Sequence, residues 1–208
     1  MIVLVCGIPG SGKSLTTAYM TQRVNKTGRL SMAGNLLFEG DKKVYSNFPI
    51  QGAYKLQNED IGQRDLHDCL VILDEALSFA DSRKWSQFPK TYQDFFRIQC
   101  RKMGVTAVIC SQSFLDVDVR IRSVCDVVYI CKQIQLPIIN KPITVWDVCK
   151  PYIKPTEKTI EQGYELQEGL LSRLTSWFWS SKYYDDFDTK ALTGSGQLQK
   201  SLDELWKI

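Results

Sequence analysis

Apolar positions along the first 135 residues fall into short continuous runs separated by stretches with helical spacing. Ile2–Cys6 (IVLVC), Leu70–Leu73 (LVIL), Thr106–Cys110 (TAVIC) and Val127–Cys131 are four such runs, and Val44–Asn47 reads as a further short strand. Runs apolar at every position suit strands buried on both faces of a parallel sheet. Between them, Lys13–Lys26 places Leu15, Ala18, Tyr19 and Val24 on one helix face, and Tyr92–Lys102 reads as a basic and aromatic helix stopped by Gly104. Strands alternating with helices predict an α/β fold with a mostly parallel sheet flanked by helices.

Beyond residue 127 the pattern changes. Val128–Leu136 and Ile143–Cys149 flank the turn-rich PIINKP and predict an antiparallel β-hairpin. Pro151 and Pro155 mark a boundary, dividing the chain into a domain over 1–150 and a C-terminal appendage over 151–208. That appendage is expected to hold a helix over Thr159–Ser180 and an aromatic patch (Trp177, Phe178, Trp179, Tyr183, Tyr184). A Gly194-Ser195-Gly196 linker follows, then a terminal helix with Leu198, Leu202, Leu205 and Trp206 on one face. The aromatic patch suits packing on the core or an interfacial membrane contact, and the terminal stripe suits docking to a neighbour.

Composition changes this picture little. Hydrophobic residues make up 44% of the 208 residues and charged residues 24%, with a net charge of +3, which excludes a disordered or low-complexity chain. Seven cysteines without a C-x-x-C pair, several in apolar runs, read as reduced core thiols of a cytosolic protein. One histidine, His67, and no paired cysteines exclude a zinc site. Met1–Lys13 lacks the charged start and cleavage site of a signal peptide, and no apolar run reaches the ~18–20 residues of a bilayer span.

The chemistry is concentrated in Gly7-Ile8-Pro9-Gly10-Ser11-Gly12-Lys13-Ser14, a complete G-x-x-x-x-G-K-S phosphate loop between a buried strand and a helix. Gly7, Pro9, Gly10, Ser11, Gly12, Lys13, Ser14 and Leu15 form the expected cradle, its backbone N–H groups turned onto phosphates and reinforced by the helix N-terminus. Lys13 is expected to reach the β- and γ-phosphates, and the Ser14 hydroxyl to ligate Mg²⁺. About 60 residues later LVIL ends in Asp74-Glu75. Asp74 is placed to hold Mg²⁺ and Glu75 to orient the attacking water. P-loop ATPases with a catalytic glutamate carry an extra strand between these two, tipped by a residue that senses the γ-phosphate. Here that strand is Thr106–Cys110 and the residue Gln112, with Ser111 second. Arg97, Arg101, Arg120 and Arg122 are the candidates for a guanidinium that completes such a site.

The order GIPGSGKS, VYSNFPI, VILDEA, CRKMG–VTAVICSQ and DVDVRIRSVCDVVYICK resembles the zonula-occludens-toxin (Zot) family. That family includes the assembly ATPases of filamentous phages, within the FtsK–HerA group of DNA-pumping ATPases. The resemblance covers residues 1–135. It implies a RecA-like P-loop NTPase fold, ATP and Mg²⁺ as cofactors, DNA held through its phosphates, and a homo-oligomeric ring. Where the family has His-Arg-His before the Gln strand this chain has Cys100-Arg101-Lys102, so only Arg101 is carried over. The membrane segment common in filamentous-phage members is missing, which favours a cytoplasmic or virion-associated packaging ATPase whose tail meets a capsid or membrane-associated virion protein. Two alternative readings are a P-loop small-molecule kinase and an ATP-binding assembly switch without motor activity.

Overall fold

The computed structural model describes residues 1–74, 90–136, 141–155, 160–166 and 177–186. Glu75, the Gly194–Gly196 linker and the terminal stripe over 198–208 lie outside the described residues.

The parallel core is formed by β1 (Ile2–Cys6), β4 (Val44–Ser46), β5 (Tyr54–Lys55), β6 (Leu70–Leu73), β7 (Thr106–Ser111) and β8 (Val127–Leu136). Three antiparallel strands extend it: β9 (Lys141–Pro155), β10 (Ile160–Leu166) and β11 (Trp177–Trp179). The order across the sheet is β10-β9-β8-β1-β7-β6-β4-β5, with β11 also on β9. β7 therefore lies between β1 and β6, in register Leu4↔Ile109 and Leu73↔Ile109, as the sequence predicts. A separate hairpin of β2 (Arg29–Met32) and β3 (Asn35–Glu39) turns at Ala33-Gly34.

Two apolar layers cover the sheet. On one face α1 (Lys13–Thr27) sets Leu15, Ala18, Met20 and Val24 against Val3, Val5, Ile72 and Val108. Its buried Thr16, Thr17 and Thr21 each return their hydroxyl to a carbonyl of the preceding turn, so polar side chains sit in the core with their donors satisfied. Gly28 ends α1 at φ 69°, its N–H on the Val24 carbonyl. The other face is covered by α2, residues 90–102, in which a π turn over Phe95–Gln99 separates Lys90–Asp94 from Cys100–Lys102. That turn brings the consecutive Phe95 and Phe96 into the core together.

The expected helix over Thr159–Ser180 is corrected where residues are described: Ile160–Leu166 and Trp177–Trp179 are strands, and Ser180–Asp186 is a 3₁₀ segment. β9 runs on through Pro151 to Pro155 and presents a free edge. Pairing on that edge satisfies the backbone as fully as a helix would, and it tolerates Gly163 because the Tyr152 ring lies over that position. In β11 alternation replaces helical spacing. Phe178 is buried against Tyr19, Trp146 and Tyr183, whereas Trp177 and Trp179 remain 44% and 38% exposed on the opposite face.

Candidate active site

The C-terminal tips of β1, β7, β6 and β4 bring the phosphate loop, Gln112, Asp74 and Asn47 to one edge of the sheet. The loop leaves β1 at Gly7, whose N–H donates to the Ser111 carbonyl at 3.3 Å. Gly10 and Gly12 have φ of 77° and 94°, a region that suits glycine. Gly12 has a second constraint: a Cβ there would lie 2.8 Å from Thr144 Oγ1. Lys13 reaches back across the loop and donates from Nζ to the carbonyls of Gly7 (2.7 Å) and Ile8 (3.1 Å). Ser11 is 6% exposed and its Oγ has no partner among the described residues. Ser14 lies in the first turn of α1, where no side-chain cap bonds the helix start. Leu15 turns its side chain into the core.

A nucleotide fits this arrangement. The loop turns through left-handed backbone at Gly10 and Gly12, with the Lys13 ammonium lying across it, the unpartnered Ser11 hydroxyl within it and the uncapped N-terminus of a 15-residue helix behind it. Pro9 and Gly10 are exposed at the loop's outer rim.

What holds the loop from behind was not legible in the motif. Thr16 Oγ1 donates to the Gly12 carbonyl and accepts from Trp146 Nε1, both at 2.9 Å. Thr144 Oγ1 shares a buried hydrogen bond of 2.9 Å with Ser180 Oγ. Strand β9, itself tied to the 3₁₀ segment at Ser180, thus buttresses the first turn of α1.

Asp74 follows β6 directly, and its backbone is gripped by Asn47: Asp74 N donates to Asn47 Oδ1 at 2.7 Å, and Asn47 Nδ2 donates to the Asp74 carbonyl at 3.1 Å. The single signal for Asn47 in the sequence is an amide side chain ending a short strand just before Phe48-Pro49. Gln112 follows the last residue of β7 and is exposed, whereas the Ser111 hydroxyl turns away to donate to the Ser113 carbonyl at 2.9 Å.

The arginines separate clearly. Arg101 sits at the far edge of the sheet, where its Nη2 is 3.7 Å from Asp126 Oδ1 and the other oxygen of Asp126 accepts from Ile2 N. It is not brought to the phosphate loop of its own chain. Arg97 is exposed on α2. Arg120 and Arg122 belong to α3 (Val119–Arg122). Arg120 forks onto the fully buried Asp118 with two 2.8 Å bonds. Burial pushes the Asp118 carboxyl up, but the hydrogen bonds and charge of Arg120 outweigh it and hold the group below its ordinary value. Arg122 lies over the Phe114 ring, 5.4 Å from its centroid.

All seven cysteines are free thiols. Burial pushes Cys69, Cys100, Cys125 and Cys131 up to about 12, so none is a thiolate near neutral pH. Among the described residues no helix is long and apolar enough to cross a membrane.

The family model "Zonular occludens toxin (Zot)" matches residues 1–168. No curated protein matches. The N-terminal domain of zonular occludens toxin from Neisseria meningitidis superposes with a TM-score of 0.50 at 16% identity, covering 90% of this chain and 98% of that one. The genome packaging NTPase B204 from Sulfolobus turreted icosahedral virus 2, in complex with ATP-γ-S, gives 0.45 at 14% identity, covering 62% and 72%. The glycine cradle, the intervening strand and a family match over four-fifths of the sequence place this chain in the Zot family, with a P-loop NTPase fold.

Proposed function

We propose that the chain is an ATP-hydrolysing motor that moves the DNA of a virus or mobile element during packaging or virion assembly. The observation that carries this reading is the strand order β1-β7-β6, which sets Gln112 between the phosphate loop and the acidic tip at Asp74. In this reading Lys13 leaves the Gly7 and Ile8 carbonyls for the β- and γ-phosphates, and Gln112 contacts the γ-phosphate. Glu75 orients the attacking water and accepts its proton. Ser14 and Asp74 would hold Mg²⁺, which when bound neutralises the charge that develops between the β- and γ-phosphates.

Arg101 lies too far from its own phosphate loop to act there, which supports a ring in which it serves a neighbour's site. DNA contact is supported by charge: residues 81–102 carry six basic and two acidic side chains. The tail would meet a virion protein, and the protein would work in the cytoplasm of the host cell or on the virion.

Steady-state hydrolysis of ATP with and without DNA, for the wild type and Lys13→Ala, tests the reading. Wild-type turnover stimulated by DNA and abolished by the substitution is expected. Hydrolysis that Lys13→Ala leaves intact would overturn the assignment of the loop, and hydrolysis indifferent to DNA would overturn the motor.

A further inference from the structure

Strand β4 ends at Ser46, yet its contact with β6 does not. Asn47 N donates to the Ile72 carbonyl at 3.2 Å, the last ordinary step of the ladder between the two strands. One residue further the backbone of β4 turns away through Phe48-Pro49, and proline has no N–H to donate. The Asn47 carboxamide supplies both missing partners, its oxygen to Asp74 N at 2.7 Å and its amide to the Asp74 carbonyl at 3.1 Å. A primary amide offers one acceptor and a donor pair on a planar group, the same pattern as a peptide unit. The side chain therefore extends the sheet by one step, at the point where β6 delivers Asp74 and Glu75.

We infer that Asn47 is a positioning residue of the hydrolytic site. It fixes the peptide on either side of Asp74, and through it the directions of the Asp74 carboxylate and of the chain entering Glu75. It acts through the Asp74 backbone. This inference rests on the proposed hydrolysis of ATP. A carboxylate that must meet a metal within a few tenths of an ångström gains from such a brace, and outer partners of metal ligands typically contribute about 10–100-fold in affinity or activity.

The test compares Asn47→Ala, which loses both bonds, with Asn47→Asp, which keeps an acceptor for Asp74 N but loses the donor and sets a second carboxylate beside Asp74. Two readouts are taken on the intact chain: kcat and KM for ATP, and the Mg²⁺ concentration needed for half-maximal binding of a methylanthraniloyl-ATP probe. The second does not require turnover, so an inactive wild type would refute the proposed hydrolysis while still testing Asn47. Both variants are expected to lose about tenfold or more in kcat with KM changed less than about threefold, and to need about tenfold more Mg²⁺ for probe binding. Thermal melting and the stoichiometry of probe bound at saturating Mg²⁺ separate positioning from loss of fold, since a misfolded fraction lowers stoichiometry without moving the Mg²⁺ midpoint. An Asn47→Ala protein that binds probe at full stoichiometry with a wild-type Mg²⁺ midpoint would overturn the inference. So would one whose only change is a reduced stoichiometry.

Discussion

Trp146→Phe isolates the contact between the C-terminal strands and the phosphate loop. The indole is 3% exposed, ringed by Phe178, Tyr19 and Tyr129 at centroid distances of 5.2, 5.5 and 6.2 Å, and its Nε1 donates to Thr16 Oγ1. Phenylalanine keeps an aromatic ring there but removes the donor, at a cost of about 1 kcal/mol. The smaller ring leaves a partial cavity costing about 1–2 kcal/mol more. A total of about 2–3 kcal/mol corresponds to a drop of roughly 5–10 °C in Tm for a chain of this size. The hydrogen bond is separated from packing by a double-mutant cycle with Thr16→Val in urea denaturation. Because Thr16 also holds the Gly12 carbonyl, each single variant should weaken nucleotide binding as well as stability. A coupling energy of about 1 kcal/mol between the positions is expected. Coupling indistinguishable from zero, with both single variants still folded, would refute the claim that the indole braces the loop through the threonine.

Glu75→Gln should keep ATP binding and lose turnover by orders of magnitude, whereas Asp74→Asn should chiefly raise the Mg²⁺ requirement; identical phenotypes in rate and binding would show the two roles to be wrongly divided. Arg101→Ala should lose turnover with ATP affinity intact, and adding excess Glu75→Gln should recover part of it, because the second variant supplies the arginine to sites whose own Glu75 is present. A flat mixing curve in proven mixed oligomers would remove Arg101 from that role. For Asp118 the folded carboxyl lies below its unfolded value of about 3.9. Its stabilising contribution is therefore complete above that pH and is lost as pH falls towards the folded value. Asp118→Asn, whose side-chain oxygen still accepts from Arg120 N, should flatten the acid limb of a stability–pH curve without abolishing folding.

The parallel core was readable because β1 and β6 are apolar at every position and β7 is apolar between Thr106 and Ser111, a pattern that suits burial on both faces. The phosphate loop was readable because its chemistry is local: eight consecutive residues carry it. Asn47 was not, since its role depends on a strand that arrives 27 residues later and on Pro49 turning the backbone away. Thr144 and Trp146 were hidden for the same reason, the partner of Thr144, Ser180, lying 36 residues away and that of Trp146, Thr16 in α1, 130 residues away. Over 160–179 the apolar residues fit two periods at once, and the strand period holds where residues are described. Tyr164 and Leu166 are two apart, and the wide-ranging apolar content between Ile160 and Trp179 also fits a helix. What decided the outcome for the described residues was the free edge of β9.

The position of β1 in the sheet has a consequence for biosynthesis. Its two neighbours, β7 and β8, begin at Thr106 and Val127, so the first strand made has no partner until more than half the chain exists. At a synthesis rate of about 5–20 residues per second, IVLVC waits roughly 5–25 s with both edges open. An apolar, β-branched pentapeptide in that state pairs readily with other nascent chains. Crowded translation of this protein should therefore load trigger-type chaperones early, and slowing elongation before residue 106 should lower the soluble yield, whereas slowing it after residue 131 should not. The phosphate loop is finished later still, once Trp146 and Ser180 have left the ribosome, so nascent chains shorter than about 180 residues would carry the binding motif without its brace.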